Sequence, residues 1–420
     1  MSQPNAQQPN PYPQQPYGQP PYPYPQQPYP YPQQPYPYPQ QPYPPQPYPQ
    51  QPYPPQQYPQ QPYPYPQQPY PQQPAYAQGQ QPPAQNPVQP GPQNPPVQPI
   101  PVQPIPVQTN LPPIDQKKVD ADAAALRKAM KGLGTDEKAI IQIIANRTNR
   151  ERLAMIDSFK RQFNRDLLKD LKSELSGKFE DATLALFKDP IEYDCYSLNK
   201  AMKGAGTNED TLIEILATRP NYYINQIKDR YKVLYKKTLE QELSSELSGD
   251  LKKVMLTLAS ALRSTNVNAD QNDCNNKVEQ LYKAGEKRLG TDEQVFYDIL
   301  TKASPEEIKL MDKLYTQKYK HGLLTAIDKE FSGDLKKLLK TMIHVSLNPS
   351  EYFATRVNYA VKGAGTKDTL LIRILVTRDE IDMPQIKEAY KRLYNKDMVK
   401  DIENDTSGDY KRLLVELSSH

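Results

Sequence analysis

Aliphatic residues recur at helical spacing after short glycine-containing turns in the part of the chain beyond residue 114. The first two copies have Ile140, Ile141, Ile143 and Ile144, and Leu212, Ile213, Ile215 and Leu216. This spacing predicts helices with one buried face. A threonine precedes each aliphatic run at the position expected of a helix N-cap. Strand-type alternation is nearly absent, so the pattern predicts an all-α core.

The turn before each aliphatic run is one of four copies of the same motif. The copies are MKGLGTDE from Met130, MKGAGTNED from Met202, EKRLGTDE from Glu286 and VKGAGTKD from Val361. Later in each copy a carboxylate is followed, after one residue, by Ser-Gly. This second motif predicts the start of a further helix. In every copy 38 residues lie between the threonine and that carboxylate: Thr135 and Glu174, Thr207 and Glu246, Thr291 and Glu330, Thr366 and Asp405. A fourfold helical repeat is therefore predicted.

The first 114 residues have a different composition from the rest of the chain. They contain no Asp, Glu, Lys or Arg and hold 43 of the 48 prolines, and YPQQP occurs eight times between Tyr12 and Pro74. Proline removes backbone donors, and few aliphatic residues are present to offset the entropy of ordering. We expect a disordered tail with local polyproline II character. It is either an inert spacer or an arm for self-association or partner binding.

Composition and motifs argue against several classes of protein. The net charge of +4 is mild, so nucleic acid is not an expected partner. No basic segment followed by an apolar run begins the sequence, and no apolar stretch is long enough to span a membrane, so we expect neither a signal peptide nor a spanning helix. No zinc motif, EF-hand loop, phosphate-binding loop or nucleophile-and-base set occurs. We do not expect an enzyme.

The fixed distance between turn and carboxylate has a chemical consequence. Glycines let a backbone turn so that several carbonyl oxygens face one concavity. One carboxylate added to those carbonyls makes a hard, oxygen-rich site that suits calcium. With one acid per site, the intrinsic affinity should be weak, on the order of 10⁻⁴ to 10⁻³ M, and a lipid phosphate that completes the coordination would raise it.

The K-G-x-G-T turn, the 38-residue interval and the terminal acid, repeated four times, resemble the annexin repeat. The resemblance extends from about Lys118 to the C-terminus. It implies four five-helix repeats forming a curved disc, preceded by the disordered tail, which is similar to that of the synexin-like, long-tailed annexins. The implied boundaries are 1–114 for the tail, then 115–188, 189–262, 263–348 with its linker, and 349–420.

The resemblance also implies the calcium ligands, residue by residue. In the first, second and fourth repeats these are carbonyls of Met130, Gly132 and Gly134 with Glu174, of Met202, Gly204 and Gly206 with Glu246, and of Val361, Gly363 and Gly365 with Asp405. The third repeat departs from the K-G-x-G order and implies Gly285, Arg288 and Gly290 with Glu330. Arg147, Arg219 and Arg378 are expected to bond loop carbonyls.

The function implied is calcium-dependent, reversible binding to anionic phospholipid membranes such as those containing phosphatidylserine. We expect a cytoplasmic protein that calcium recruits to the plasma membrane or to vesicles, with a role in vesicle aggregation or trafficking. Lys131, Lys203 and Lys362 lie in the loops, where they could meet anionic headgroups, and Leu289 could enter the bilayer interface. The alternative is a scaffold that assembles through its tail, by self-association or by binding proline-recognition modules or calcium-sensor proteins.

Overall fold

The structure is a computed structural model that describes residues 113–132, 134–204 and 206–419. This part of the chain forms twenty α-helices and contains no β-strand, which confirms the all-α prediction. The predicted disordered tail lies outside the described residues.

The helices fall into four successive groups of five, which we call repeats 1 to 4. Repeat 1 contains α1 Gln116–Ala129, α2 Glu137–Ala145, α3 Asn149–Phe163, α4 Leu167–Glu174 and α5 Gly177–Leu186. Repeat 2 contains α6 Pro190–Met202, α7 Glu209–Thr218, α8 Asn221–Tyr235, α9 Leu239–Glu246 and α10 Gly249–Ala259. Repeat 3 contains α11 Gln271–Ala284, α12 Glu293–Leu300, α13 Pro305–Tyr319, α14 Leu323–Glu330 and α15 Gly333–Leu347. Repeat 4 contains α16 Pro349–Val361, α17 Asp368–Arg378, α18 Met383–Tyr394, α19 Met398–Asp405 and α20 Gly408–Ser419.

The second helix of each repeat begins one residue later than predicted. Its N-cap is the residue after the motif threonine, and in repeats 1 and 2 the side chains of Asp136 and Asn208 accept the N–H of Ala139 and Thr211 at 2.9 and 3.0 Å. The prediction that the threonine caps the helix is therefore wrong. Asp and Asn are stronger caps than Thr, and this choice leaves the threonine hydroxyl free for another partner.

The last helix of each repeat begins where the Ser-Gly motif predicts. The glycines at these four starts have φ values between 59° and 61°, in the left-handed region, and they are Gly177, Gly249, Gly333 and Gly408. A residue with a Cβ is strained in this conformation, so the motif needs glycine to turn the chain between the fourth and fifth helices.

Two separate hydrophobic cores hold the repeats together. One, which we call the 2–3 core, contains buried residues of repeats 2 and 3 from Cys195 to Ile343. The other, the 1–4 core, joins residues of repeat 1 from Val119 onward to residues of repeat 4 up to Leu417. Helix α7 packs against α15 in the 2–3 core, and α2 packs against α20 in the 1–4 core. Neighbours in space are thus not always neighbours in sequence.

A buried ion-pair network crosses the border between repeats 2 and 4. Glu214 on α7 is 1% exposed and accepts hydrogen bonds from Arg373 at 2.8 Å and from Arg356 at 3.0 Å. Burial alone would raise the pKa of Glu214, but the two arginines together hold the pKa below its ordinary value. The carboxylate is therefore charged inside the protein, and each partner depends on the others.

Candidate metal centres

Each candidate centre is built where two helices end side by side. The first predicted carbonyl donors, Met130, Met202, Gly285 and Val361, lie at the C-terminal end of the first helix of their repeat. The four predicted carboxylates, Glu174, Glu246, Glu330 and Asp405, are each the last residue of the fourth helix. The last carbonyls of a helix lack intrahelical partners and carry its partial negative charge. Two such ends favour a cation.

The loop after the first helix is closed by the same backbone bond in all four repeats. The residue after the motif threonine donates its N–H to an alanine carbonyl in the last turn of the first helix. The four N–H to oxygen distances are 2.9 Å from Asp136 to Ala129, 2.8 Å from Asn208 to Ala201, 2.7 Å from Asp292 to Ala284 and 2.8 Å from Lys367 to Ala360. The third loop has one more residue between the donor residue and the acceptor residue of this bond than the other three loops have.

Glycine is required in three of the loops by conformation. Gly132 and Gly134 have φ of 126° and 85°. The same pair recurs as 120° and 95° at Gly204 and Gly206, and as 124° and 84° at Gly363 and Gly365. A Cβ would meet no atom within 4 Å at any of these positions, so space is not the constraint. Only glycine adopts these angles without strain, which explains the Gly-x-Gly order.

The third loop meets the same need by a different route. Gly290 has φ of 77°, whereas Gly285 is buried with φ of −119°. A Cβ at Gly285 would lie 3.0 Å from two side-chain atoms of Glu330, so the glycine there allows a close approach of the carboxylate. The carbonyl of Gly285 accepts the N–H of Arg288 at 2.9 Å and retains a second lone pair.

The two ends of the 38-residue interval touch in three of the four repeats. Thr135 donates its hydroxyl to Glu174 at 3.0 Å, Thr366 donates to Asp405 at 2.6 Å, and Thr291 donates to Glu330. Thr207 and Glu246 belong to the described part of the chain but do not form this bond. In three repeats, then, the predicted acid stands directly beside the loop of the predicted carbonyls.

The donors present fit a hard cation. Among residues 113–132, 134–204 and 206–419, no group of three or more His, Cys, Asp or Glu side chains could hold a metal ion. Each candidate centre instead combines one carboxylate with backbone oxygens, which suits calcium better than zinc or a transition metal. Glu174 and Glu246 are exposed and Glu330 and Asp405 are half-buried, so solvent reaches all four acids.

The sequence did not reveal a side-chain clamp on the third loop. Glu286 follows Gly285, and its carboxylate accepts hydrogen bonds from the Tyr315 hydroxyl at 2.7 Å and from Lys329 at 2.6 Å, with His321 Nε2 at 3.1 Å. Burial would raise the pKa of Glu286, but the bonds from Lys329 and Tyr315 hold it below its ordinary value. The irregular AGEKRLGT order was the signal that this loop needs support of its own.

Of the three arginines, Arg147 bonds a loop carbonyl, that of the residue before it, at 2.8 Å, whereas the prediction is wrong for the other two. Arg147 and Arg219 each form a two-pronged ion pair with an aspartate of the first helix, Asp122 and Asp194, at 2.7 to 3.1 Å. Arg378 lies over a phenylalanine ring and pairs with the aspartate at the N-cap of the next helix, α18. These contacts lock the second helix to its neighbours, because a carboxylate satisfies a guanidinium better than a carbonyl does.

The annexin family model matches residues 121–186, 193–258, 277–342 and 352–417. The chain belongs to the annexin family. Each match falls within one five-helix repeat. Members of this family generally bind calcium and phospholipid membranes.

Curated and solved relatives of this annexin support the same assignment. Annexin A11 of Oryctolagus cuniculus is 43% identical over 296 residues, covering 70% of this chain and 59% of the relative. Annexin A7 of Homo sapiens is 43% identical over 294 residues, covering 70% and 60%. The aligned region thus spans about three fifths of these two relatives. The structure of calcium-bound annexin (Sm)1 matches with a TM-score of 0.65 at 32% identity, covering 74% of this chain and 92% of that one.

Proposed function

We propose that this annexin binds anionic phospholipid membranes when calcium occupies its loops. The observation that carries the proposal is the convergence of two helix C-termini, a Gly-x-Gly turn and one carboxylate, with the carboxylate bonded to the loop threonine in three repeats. This arrangement concentrates oxygen donors and partial negative charge at one point. Calcium bound in annexin (Sm)1 supports the choice of cation.

In this proposal the chain supplies only part of each coordination shell. Three carbonyls and one bidentate carboxylate provide five oxygens, as Met130, Gly132, Gly134 and Glu174 do in repeat 1. Calcium takes six to eight oxygen ligands, so at least one coordination position stays open, and a lipid phosphate oxygen can fill it. Each ligand then strengthens the binding of the other, and several loops on one molecule add avidity.

The exposed side chains around the loops are suited to a membrane surface. Lys131, Lys203 and Lys362 are exposed beside the predicted ligands, and each could contribute about 1 kcal/mol near an anionic surface. Leu289 at the tip of the third loop is fully exposed, as expected of a side chain that enters the interface. In the described part of the chain, no helix has the length and apolar character needed to cross a bilayer. We infer a peripheral, reversible attachment to cytoplasmic membrane surfaces.

The test is co-sedimentation of the full chain with phosphatidylserine-containing vesicles, in calcium and then in chelator. The site variant carries Glu174→Ala, Glu246→Ala and Asp405→Ala. We expect the wild type to pellet only with calcium and the site variant to stay largely in solution. The matched control removes three exposed acids from the third helices of the same repeats, with Asp157→Ala, Asp229→Ala and Glu388→Ala.

Two outcomes would contradict the proposal. Wild-type binding that ignores chelator would mean that the loops are not the switch, and equal loss in both triple variants would point to net charge rather than to the loops. Deleting residues 1–114 separates the proposal from tail-driven assembly. Calcium-dependent pelleting that disappears with the tail would favour the scaffold, whereas pelleting that persists supports the loops.

A further inference from the structure

A cavity of about 550 Å³ lies where repeats 1, 2 and 4 meet. Its walls come from α4 and α5 of repeat 1, from α6 and the start of α7 in repeat 2, and from α17 of repeat 4. Sites for small molecules in proteins typically measure about 300–1,000 Å³. None of the predicted calcium ligands lines this cavity.

The cavity sits on the border between the two hydrophobic cores. Ala185 and Tyr193 line it from the 1–4 core, and Ala201 lines it from the 2–3 core. A molecule bound here would contact both cores at once. Such a ligand stabilises the junction between them, because it binds the assembled state and not the separated halves.

The cavity carries an excess of positive charge. Four lysines line it against two aspartates, and two of the lysines are already paired, Lys169 with Asp166 and Lys188 with Glu192. Lys172 and Lys200 form no ion pair with any described residue. Two uncompensated ammonium groups that face one concavity attract an anion.

The wall beside these lysines is aromatic and apolar. The Tyr196 ring has Lys188 Nζ at 5.6 Å and Lys200 Nζ at 5.7 Å from its centroid, and it stacks on Tyr193 with the rings 20° apart. Leu168, Leu184 and Ile372 complete this wall. Tyrosine and leucine surfaces of this kind bury a flat ring well, whereas an inorganic anion gains nothing from them.

We propose that this cavity binds a small anion that carries an aromatic ring system. The anionic group pairs with Lys172 and Lys200, and the rings lie against Tyr196 and the leucines. The site is independent of the calcium loops and of membranes, so its test is run in chelator without lipid. Failure here would leave the proposed membrane function untouched, and the reverse also holds.

The probe is 8-anilinonaphthalene-1-sulfonate, whose rings and sulfonate match the two parts of the cavity and whose fluorescence reports burial. We expect one high-affinity site on the full chain, with a Kd on the order of 10–100 µM for a ligand of this size. N-phenyl-1-naphthylamine, which has the rings without the charge, should bind at least tenfold more weakly. Inorganic sulfate in large excess should compete only weakly.

The variants locate the site. The double variant Lys172→Ala and Lys200→Ala should bind the probe at least tenfold more weakly than the wild type. Tyr196→Ala, which removes the ring against which the probe lies, should also weaken binding. The matched control, Lys232→Ala with Lys391→Ala, removes two exposed lysines elsewhere and should stay within twofold of the wild type. At about 100 times Kd the probe should raise the Tm of the wild type by about 4 °C, and that of the lysine double variant by much less.

Three results would overturn the proposal. The first is wild-type affinity in the Lys172/Lys200 double variant. The second is an equal loss in the control double variant. The third is equal affinity for the charged probe and its neutral analogue, which would show general adsorption to apolar surface and not a charged site.

Discussion

Replacing Glu286 by glutamine should weaken calcium binding at the third loop more than at any other. Glu286 lies between two predicted carbonyl donors, Gly285 and Arg288, and its carboxylate ties this loop to Tyr315 and Lys329. Without the tie the loop samples more conformations, and ordering them opposes binding of the cation. The third site should therefore lose affinity while the fold persists.

The size of the effect follows from the contacts. A hydrogen bond to a charged group contributes about 1.5–3 kcal/mol, and the Tyr315 hydroxyl that donates it is fully buried. The Lys329 side chain is half exposed, so solvent screening reduces its pair with Glu286 to about 0–1 kcal/mol. Glutamine keeps a neutral acceptor for Tyr315 and loses the ion pair. The net change is about 1–2 kcal/mol, or roughly fivefold to thirtyfold in affinity.

The assay isolates the third site. In a background of Glu174→Ala, Glu246→Ala and Asp405→Ala, the midpoint of a direct calcium titration, followed by calorimetry without vesicles, reports mainly on the loop with Glu330. Glu286→Gln should raise that midpoint, and Tyr315→Phe, which removes the whole hydrogen bond, should raise it by at least as much. Circular dichroism and Tm check that the helices are retained.

Glu279→Gln is the matched control. Glu279 lies on α11, the helix that precedes the third loop, and pairs with Lys318 and Lys283 outside the loop. Its replacement removes a comparable surface ion pair without touching the predicted ligands. The reasoning is refuted if Glu286→Gln and Glu279→Gln give midpoints within twofold of each other.

Three further predictions concern other parts of the molecule. Glu214→Ala leaves the buried Arg373 and the partly buried Arg356 without their counter-ion and should cost about 3–5 kcal/mol of unfolding free energy, measured by urea denaturation. Since the folded pKa of Glu214 is depressed, this contribution is fully present above the ordinary value of 4.5 and is lost as the pH falls through the lower folded pKa. The chain has no tryptophan, so Leu289→Trp gives a single reporter, whose emission should shift to the blue on vesicle binding with calcium and stay unshifted in chelator. Gly285→Ala should displace Glu330 and raise the calcium midpoint of the third site. Gly322→Ala is the control, because its Cβ would clash with Asp312 and not with a predicted calcium ligand, and it should leave that midpoint unchanged.

Features repeated at fixed spacing could be predicted from the sequence. The 38-residue interval anticipates the contact of Thr135 with Glu174, because a threonine and a carboxylate recur at the same distance in every copy. The Ser-Gly motif likewise predicts the start of the fifth helix. Both signals are local or periodic, and neither depends on knowing which helices pack together.

Features set by long-range packing could not be predicted. The partners of Arg147 and Arg219 lie 25 residues earlier, and Glu286 is held from 29 and 43 residues away. No local pattern specifies such pairs. In the first three repeats the N-cap prediction is wrong for a different reason. Both the threonine and the following Asp or Asn are capping residues, and only the geometry of the structure distinguishes them.

Because repeats 1 and 4 share one hydrophobic core, repeat 1 cannot complete its packing until repeat 4 has been synthesised. About 160 residues separate the end of α5 at Leu186 from the start of α16 at Pro349. At about 5–20 residues per second, synthesis of the first repeat ends roughly 8–30 s before that of its partner begins. During that interval the faces of α2 and α5 that pack on α17 and α20 have nothing to cover them, whereas repeats 2 and 3 can complete their shared core as they emerge. A chain that stops before the last repeat should therefore expose the apolar surface of its first, and be recognised by chaperones or aggregate.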